Sequence, residues 1–128
     1  MVPQALFSNE GLVAYRSSAV LQEKAIDALG KVVFEAAILN IEHTWDIFSK
    51  NGEALQADFD FLTKGRVSQP ISKTNSLIHP ERIFLEEGAK VEYSILNATD
   101  GPIYIGKNAE IWEGSLIRGG LALCANAT

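Results

Sequence analysis

Two histidines, one cysteine and a scatter of carboxylates are the side chains in this sequence that could move a proton, attack an electrophile or hold a metal. His43 stands just ahead of an apolar helical stretch, and His79 directly precedes Pro80. A general base must reach the proton it removes, and no acceptor site is suggested near either one, so His79 reads as a connector residue. Cys124 is the single cysteine, which excludes an internal disulfide. Glu86, Glu87, Glu92, Glu110 and Glu113 fall at outward or corner positions of the pattern described below, a solvated face rather than an acid/base pair. Lys64, Arg66 and Lys73 cluster in a stretch with serines and prolines, where a solvated connector accounts for them better than a phosphate site. No glycine-rich loop of the kind that cradles nucleotide phosphates is present, the first glycine being the isolated Gly11. No aspartate pair has the spacing of a strand-end metal site.

The elements that would position these groups are clearest in residues 103–128. An aliphatic residue recurs every six positions, at Ile105, Ile111, Ile117 and Leu123, and a small residue follows four places later at Ala109, Ser115 and Ala127; Leu121 departs from that rule. Six suits neither the 3.6-residue period of a helix nor the two-residue period of a strand. It suits short strands joined by tight corners and wound as a parallel β-helix. Asn108, Gly114, Gly120 and Asn126 sit before the small positions, and all tolerate positive φ. Three hexads make a coil of about 18 residues, so Ile105 is expected to lie under Leu123. Leu85 and Val91 begin two earlier hexads. Leu85 to Ile105 is two residues longer than a coil, and the turn-forming segment 97–102 is the expected bulging corner.

These hexads resemble those of the left-handed parallel β-helix acyltransferases and sugar-nucleotide enzymes. The resemblance implies a fold that departs from the usual right-handed crossover, with Leu85, Val91, Ile105, Ile111, Ile117 and Leu123 as its core row. It also implies assembly as a homo-oligomer, a trimer being favoured, and Trp112 points outward where it could join an interface. A hexapeptide-repeat acyltransferase would use a β-helix histidine as base, but neither His43 nor His79 lies in a hexad. Two coils and a few residues leave the last row uncovered, so the chain is expected to need further coils, a partner or both.

Upstream, residues 12–16 read as a strand after the turn at 9–11. Ser17 or Ser18 is positioned to cap a helix carrying Leu21, Ala25, Ile26 and Leu29 and ended by Gly30. Residues 32–34 are β-prone, and residues 36–39 with Ile41 form an apolar stretch expected to be buried. The clearest helix begins at Thr44 and carries Trp45, Phe48, Gly52, Leu55, Phe59 and Leu62 on one stripe, with Gly65 as its stop. Trp45 and Phe48 read as core residues. Gly52 marks a close backbone approach or a kink after Asn51. Residues 65–80 hold serines, two prolines and an asparagine, the composition of an extended connector.

Residues 39–62 resemble the closing segment of sugar-1-phosphate nucleotidyltransferase domains. The matching positions are Asn40, Trp45, Asp46 and Asn51, with Thr44 where many relatives have proline. By that resemblance Asn40 would lie near a catalytic Mg²⁺ and is the one candidate metal-site residue. An amide oxygen can ligate Mg²⁺, though the ion normally needs carboxylates and substrate phosphates as well; alternatively Asn40 is a turn residue before a helix. The implied substrates are a sugar phosphate and a nucleoside triphosphate.

The expected architecture is therefore an α/β fragment followed by a left-handed parallel β-helix. Residues 1–64 would be the carboxyl-terminal part of a nucleotidyltransferase-like domain, 65–80 a connector and 81–128 the start of the β-helix. The chain reads as part of a sugar-1-phosphate nucleotidyltransferase, inactive alone without its phosphate loop. The alternatives are a hexapeptide-repeat acyltransferase or a non-catalytic oligomerisation module. A net charge of −5 over 128 residues offers no basic stripe for nucleic acid. No apolar run approaches the ~18 residues of a membrane span, and the first ten residues lack the basic start of a signal peptide. A reduced cytoplasm is the expected compartment.

Overall fold

Short β-prone runs on either side of the turn near Asn9 pair as a hairpin. In the computed structural model, which describes residues 4–9, 11–36 and 38–128, β1 (Gln4–Ser8) lies antiparallel to β2 (Gly11–Arg16), with a register shift between Leu6 and Phe7. A single helical turn, α1 (Glu23–Ile26), leads to β3 (Gly30–Val33), which pairs parallel to β1 and gives the order β2-β1-β3. Glu10, read as part of the turn, and Ala37, read as part of an apolar stretch, lie outside the described residues. The chain forms two compact units, Met1–Asn40 and Ile41–Thr128.

The first unit departs from expectation in two places. The helix expected from Ser17 onward is reduced to α1, because the Ser17 hydroxyl accepts the Ala19 N–H at 3.3 Å and organises a local turn instead of a helix cap. Gly30 opens β3 as well as ending the preceding segment. The burial expected of the apolar stretch is not found at Leu39 and Ile41, which are exposed and belong to no regular element.

The second unit begins with α2 (Asp46–Ser49) and α3 (Asn51–Thr63), two helices where the stripe indicated one. The break falls at Lys50, whose N–H donates to the Asp46 carbonyl, and not after Asn51. Gly52 approaches no backbone, since a Cβ there would meet nothing within 4 Å. Trp45 and Phe48 are 63% and 84% exposed rather than core. Only the latter part of the stripe, Leu55, Phe59 and Leu62, lies against strands, lining a pocket with Pro102, Tyr104 and Leu121. Gly65 takes φ +71° as the helix stop, and the Arg66 N–H returns to the Thr63 carbonyl at 2.9 Å.

From Ser76 onward the regular elements are short strands, apart from a 3-10 turn at Pro80–Arg82. They are β4 (Ser76–Ile78), β5 (Ile83–Leu85), β6 (Lys90–Val91), β7 (Ile95–Asn97), β8 (Ile103–Ile105), β9 (Glu110–Ile111), β10 (Leu116–Arg118) and β11 (Leu121–Leu123). They sort into three parallel sheets, β4-β7-β10, β5-β8-β11 and β6-β9, which the chain visits in strict rotation. Paired residues lie 18 to 21 positions apart. That arrangement is compatible with a β-helix-like region. Ile105 pairs with Leu123 and Leu85 with Ile105, as the hexads imply. The longer spacing is absorbed at the 97–102 corner, where Asn97 to Ile103 spans six positions against three from Arg118 to Leu121.

The core is the inward rows of these sheets. Leu85, Val91, Ile105 and Ile111 are buried, together with Leu96, Ala98 and Ile103, while Ile117 and Leu123 are partly buried against them. At the corners, Asn108 and Asn126 adopt φ of 55° and 60°, and Gly114 adopts 79°. The last expected glycine is displaced by one: Gly119, not Gly120, takes positive φ. Gly120 instead passes so close to Gly101 that a Cβ on Gly101 would stand 2.6 Å from the Gly120 nitrogen. No helix among the described residues is long and apolar enough to cross a membrane.

Candidate functional site

In the first unit, Asn40 lies at the rim of a pocket of about 170 Å³ that it shares with Ser8, Gly11, Leu12, Val13 and Ile38. The hairpin turn supplies the first four residues and the segment after β3 the last two. Among the described residues, the polar side chains around this space are an amide and a hydroxyl, with no carboxylate. Among the described residues no group of three or more His, Cys, Asp or Glu side chains could hold a metal ion. Mg²⁺ demands near-octahedral oxygen coordination and is usually anchored by carboxylates, so these residues by themselves do not fit it.

In the second unit, Asp46 is nearly buried and accepts the N–H groups of Glu42 and His43 on one carboxylate oxygen, both at 3.0 Å. Lys50 Nζ and His43 Nδ1 lie 3.9 and 3.8 Å from the same oxygen. The His43 N–H first, then that of Glu42, hold the Asp46 carboxyl below the usual carboxylate range. His43 also stacks on Trp45, with ring centroids 4.4 Å apart. This knot closes the loop into α2. An aspartate so stabilised as an anion is a weak base at neutral pH.

A second polar knot joins the end of α3 to the strands. Arg66 Nη2 donates to Glu86 Oε2 at 2.6 Å, and the Tyr104 hydroxyl donates to Glu86 Oε1 at 2.5 Å. Arg66 also donates to the Leu62 carbonyl and lies over the Phe84 ring, which stacks on Tyr104. Arg66, then Tyr104, lowers the Glu86 carboxyl; burial, then the Glu86 carboxylate, raises the Tyr104 phenol. Glu86 thus departs from the solvated face expected of it, because β5 and β8 bring Phe84 and Tyr104 beside it and Gly65 turns Arg66 back toward it. Arg66 is committed to this contact. The hexad pattern gave no hint of it, since Arg66 and Glu86 are 20 positions apart.

The remaining candidates are dispersed. His79 adopts a left-handed backbone, φ 58°, ahead of the 3-10 turn Pro80–Arg82, and its Nδ1 lies 3.1 Å from Glu81. Glu87 faces Lys107 at 3.3 Å. Glu92 accepts the Thr74 hydroxyl, and Glu110 and Glu113 are exposed. Lys64, Lys73 and Cys124 are exposed. The structure therefore gathers two anchored carboxylates and no proton-shuttling pair from the residues singled out by type.

Comparison with known proteins adds one finding. The family described as sugar nucleotidyl transferase matches residues 2–67, a span running from the hairpin through α3 to Arg66 and Val67. No curated protein and no solved structure matches the chain. A match over more than half of the sequence, ending where the helical segment meets the strand stack, places the chain in a family: it belongs to the sugar nucleotidyl transferases.

Proposed function

We propose that this chain is a portion of a sugar-1-phosphate nucleotidyltransferase in which the family-matched segment is followed by a left-handed parallel β-helix of hexapeptide repeats, similar to bifunctional N-acetylglucosamine-1-phosphate uridyltransferase. The observation that carries the reading is the union, in one chain, of the family match over residues 2–67 with three rotating sheets of in-register parallel strands. In the proposed reaction a sugar-phosphate oxygen attacks the α-phosphorus of a nucleoside triphosphate. The bond to the bridging oxygen breaks and pyrophosphate leaves with the electron pair. Such a transfer depends on positioning and charge neutralisation more than on proton removal, which agrees with a chain whose carboxylates are held as anions.

Mg²⁺ enters this reading as a metal of the whole protein, with the Asn40 amide as a neighbouring ligand. Among the described residues the oxygens around Asn40 are too few for the ion. Residues 1–128 carry no glycine-rich phosphate loop, the described residues hold no carboxylate cluster for the metal, and alone they turn over nothing in this proposal. The whole protein works in the cytoplasm and acts on small phosphorylated substrates rather than nucleic acid or membranes.

The reading includes homo-oligomerisation, as a trimer, through the strand stack. Support comes from the outer side of β4-β7-β10, where Leu116 is 77% exposed and Trp112 at the adjoining corner 69%. Exposed apolar clusters of this kind mark interaction surfaces.

Pyrophosphate release by the whole protein, screened over pairs of nucleoside triphosphate and sugar 1-phosphate, tests the assignment. Turnover with at least one pair is expected, and inertness toward every pair overturns it. Turnover by residues 1–128 alone would contradict the inactivity of this portion.

A further inference from the structure

In the first strand rung, β5, β6 and the corners after them are flanked on the outer side by residues 68–75. A β-sheet edge presents unpaired N–H and C=O groups that recruit other strands unless they are blocked. At Leu85, Gly88, Ala89, Val91, Tyr93 and Ser94 they are met one by one. The Leu85 N–H donates to the Ser68 hydroxyl at 2.9 Å, and the Leu85 carbonyl accepts the Gln69 N–H at 2.9 Å. The Gln69 side chain accepts the Gly88 N–H and donates to the Ala89 carbonyl, both at 2.8 Å. Asn75 repeats the arrangement on the other side of β6, donating to the Val91 carbonyl at 2.7 Å and accepting the Ser94 N–H at 2.9 Å. The Thr74 hydroxyl accepts the Tyr93 N–H at 3.1 Å.

A carboxamide carries a donor nitrogen and an acceptor oxygen, as a peptide group does. One rung further along, backbone does this work: the Lys90 N–H donates to the Ala109 carbonyl and the Gly114 N–H to the Tyr93 carbonyl. Gln69 and Thr74 therefore stand where a further coil's peptide groups would stand, and Asn75 ties down the same corner beside Thr74. Ile71, between them in sequence, packs against the apolar core at this end. Pro70, which has no N–H, and the charged Lys73 are exposed on the same segment. Both residue types discourage strand addition at an edge.

We propose that residues 68–75 form a built-in cap, with an apolar plug at Ile71 and a polar rim at Ser68, Gln69, Thr74 and Asn75, which bars a second chain from adding strands to the β5 and β6 edges at this end of the stack. Strand addition to those two sheets is thereby confined to their other edges. The proposal concerns assembly and does not depend on the transferase assignment.

The test uses the whole 128-residue chain and its Gln69→Ala/Asn75→Ala variant. In the parent, the Gly88 and Ser94 amides should exchange slowly with solvent. In the variant they should exchange at least about tenfold faster, while Ile103 and Ile105 remain protected. The variant should also sediment as larger species than the parent, increasingly so with concentration. Fast exchange at Gly88 and Ser94 in the parent overturns the proposal, as does a folded variant with the parent's mass. Should the double alanine variant lose protection throughout, Gln69→Glu and Asn75→Asp keep the acceptors but lose the donors to Ala89 and Val91. The same association or its absence then decides.

Discussion

Tyr104 donates its phenolic hydrogen to Glu86 at 2.5 Å from the strand beside it, and Arg66 holds the other oxygen of the same carboxylate at 2.6 Å. Folding lowers the Glu86 pKa, so the native state binds that proton more weakly than the unfolded chain. Its contribution is full above the unfolded carboxylate range and is lost as the pH falls through the folded value. Asp46 acts with the same sign. Thermal unfolding followed from pH 7 down to pH 3 should show a falling Tm, with a shallower slope in Glu86→Gln and a further reduction on adding Asp46→Asn. An unchanged slope in Glu86→Gln would contradict the assignment.

Tyr104 sets the opposite limb. Its pKa is raised by burial and by Glu86, so the stability it contributes is present below the unfolded tyrosine value and drains as the pH rises through the folded one. Tyr104→Phe should cost about 1 kcal/mol at pH 7, the loss of one hydrogen bond to a carboxylate still held by Arg66. Denaturant unfolding at pH 7 and pH 11 measures both effects.

Ile103 has no exposed surface and stands in register between Ile83 and Leu121. Ile103→Ala should destabilise by about 2–5 kcal/mol, the sum of lost transfer energy and a cavity that close-packed neighbours cannot fill. Leu116→Ala, outward on β10, should change stability by no more than about 0.5 kcal/mol in the isolated chain. Urea denaturation of the two variants gives the comparison, and equal losses would mean that the inward and outward rows are misassigned.

Gly101 and Gly114 separate two reasons for glycine. At Gly114 a Cβ meets open space but φ is +79°, so Gly114→Ala should cost about 1–2 kcal/mol through backbone strain alone. At Gly101 the added carbon would lie 2.6 and 2.8 Å from the Gly120 nitrogen and Cα. Backbone cannot swing aside as a side chain can, so Gly101→Ala should be the more damaging of the two. The order of their unfolding midpoints is the readout.

Asn40 tests the catalytic reading. In the whole protein, Asn40→Ala should lower pyrophosphate release by roughly 10–100-fold, the range seen when a metal-site neighbour is removed. The circular dichroism spectrum should be retained, because the residue is exposed. Full activity in that variant would return Asn40 to a turn role.

Much of the strand stack was legible in the residues themselves, because an inward aliphatic side chain is needed once per side and one-dimensional spacing records it directly. Ile105, Ile111 and Leu123 could be placed in rows without coordinates for that reason. The helix stop at Gly65 was equally local, a matter of which residue takes positive φ cheaply. What chain spacing could not carry was decided in three dimensions. Leu96 entered the core one position out of phase, since a corner shortened by one residue shifts a row without changing composition. Trp45 and Phe48 matched a helical stripe, yet the helix is interrupted at Lys50 and both stayed in solvent. Glu86 looked like one of five surface glutamates until Arg66 and Tyr104 closed on it, and Gln69 and Asn75 looked like linker residues until the first rung's bare peptide groups met them. Hydrophobic periodicity is a property of the chain. Polar satisfaction depends on which groups become neighbours, and only the folded structure determines that.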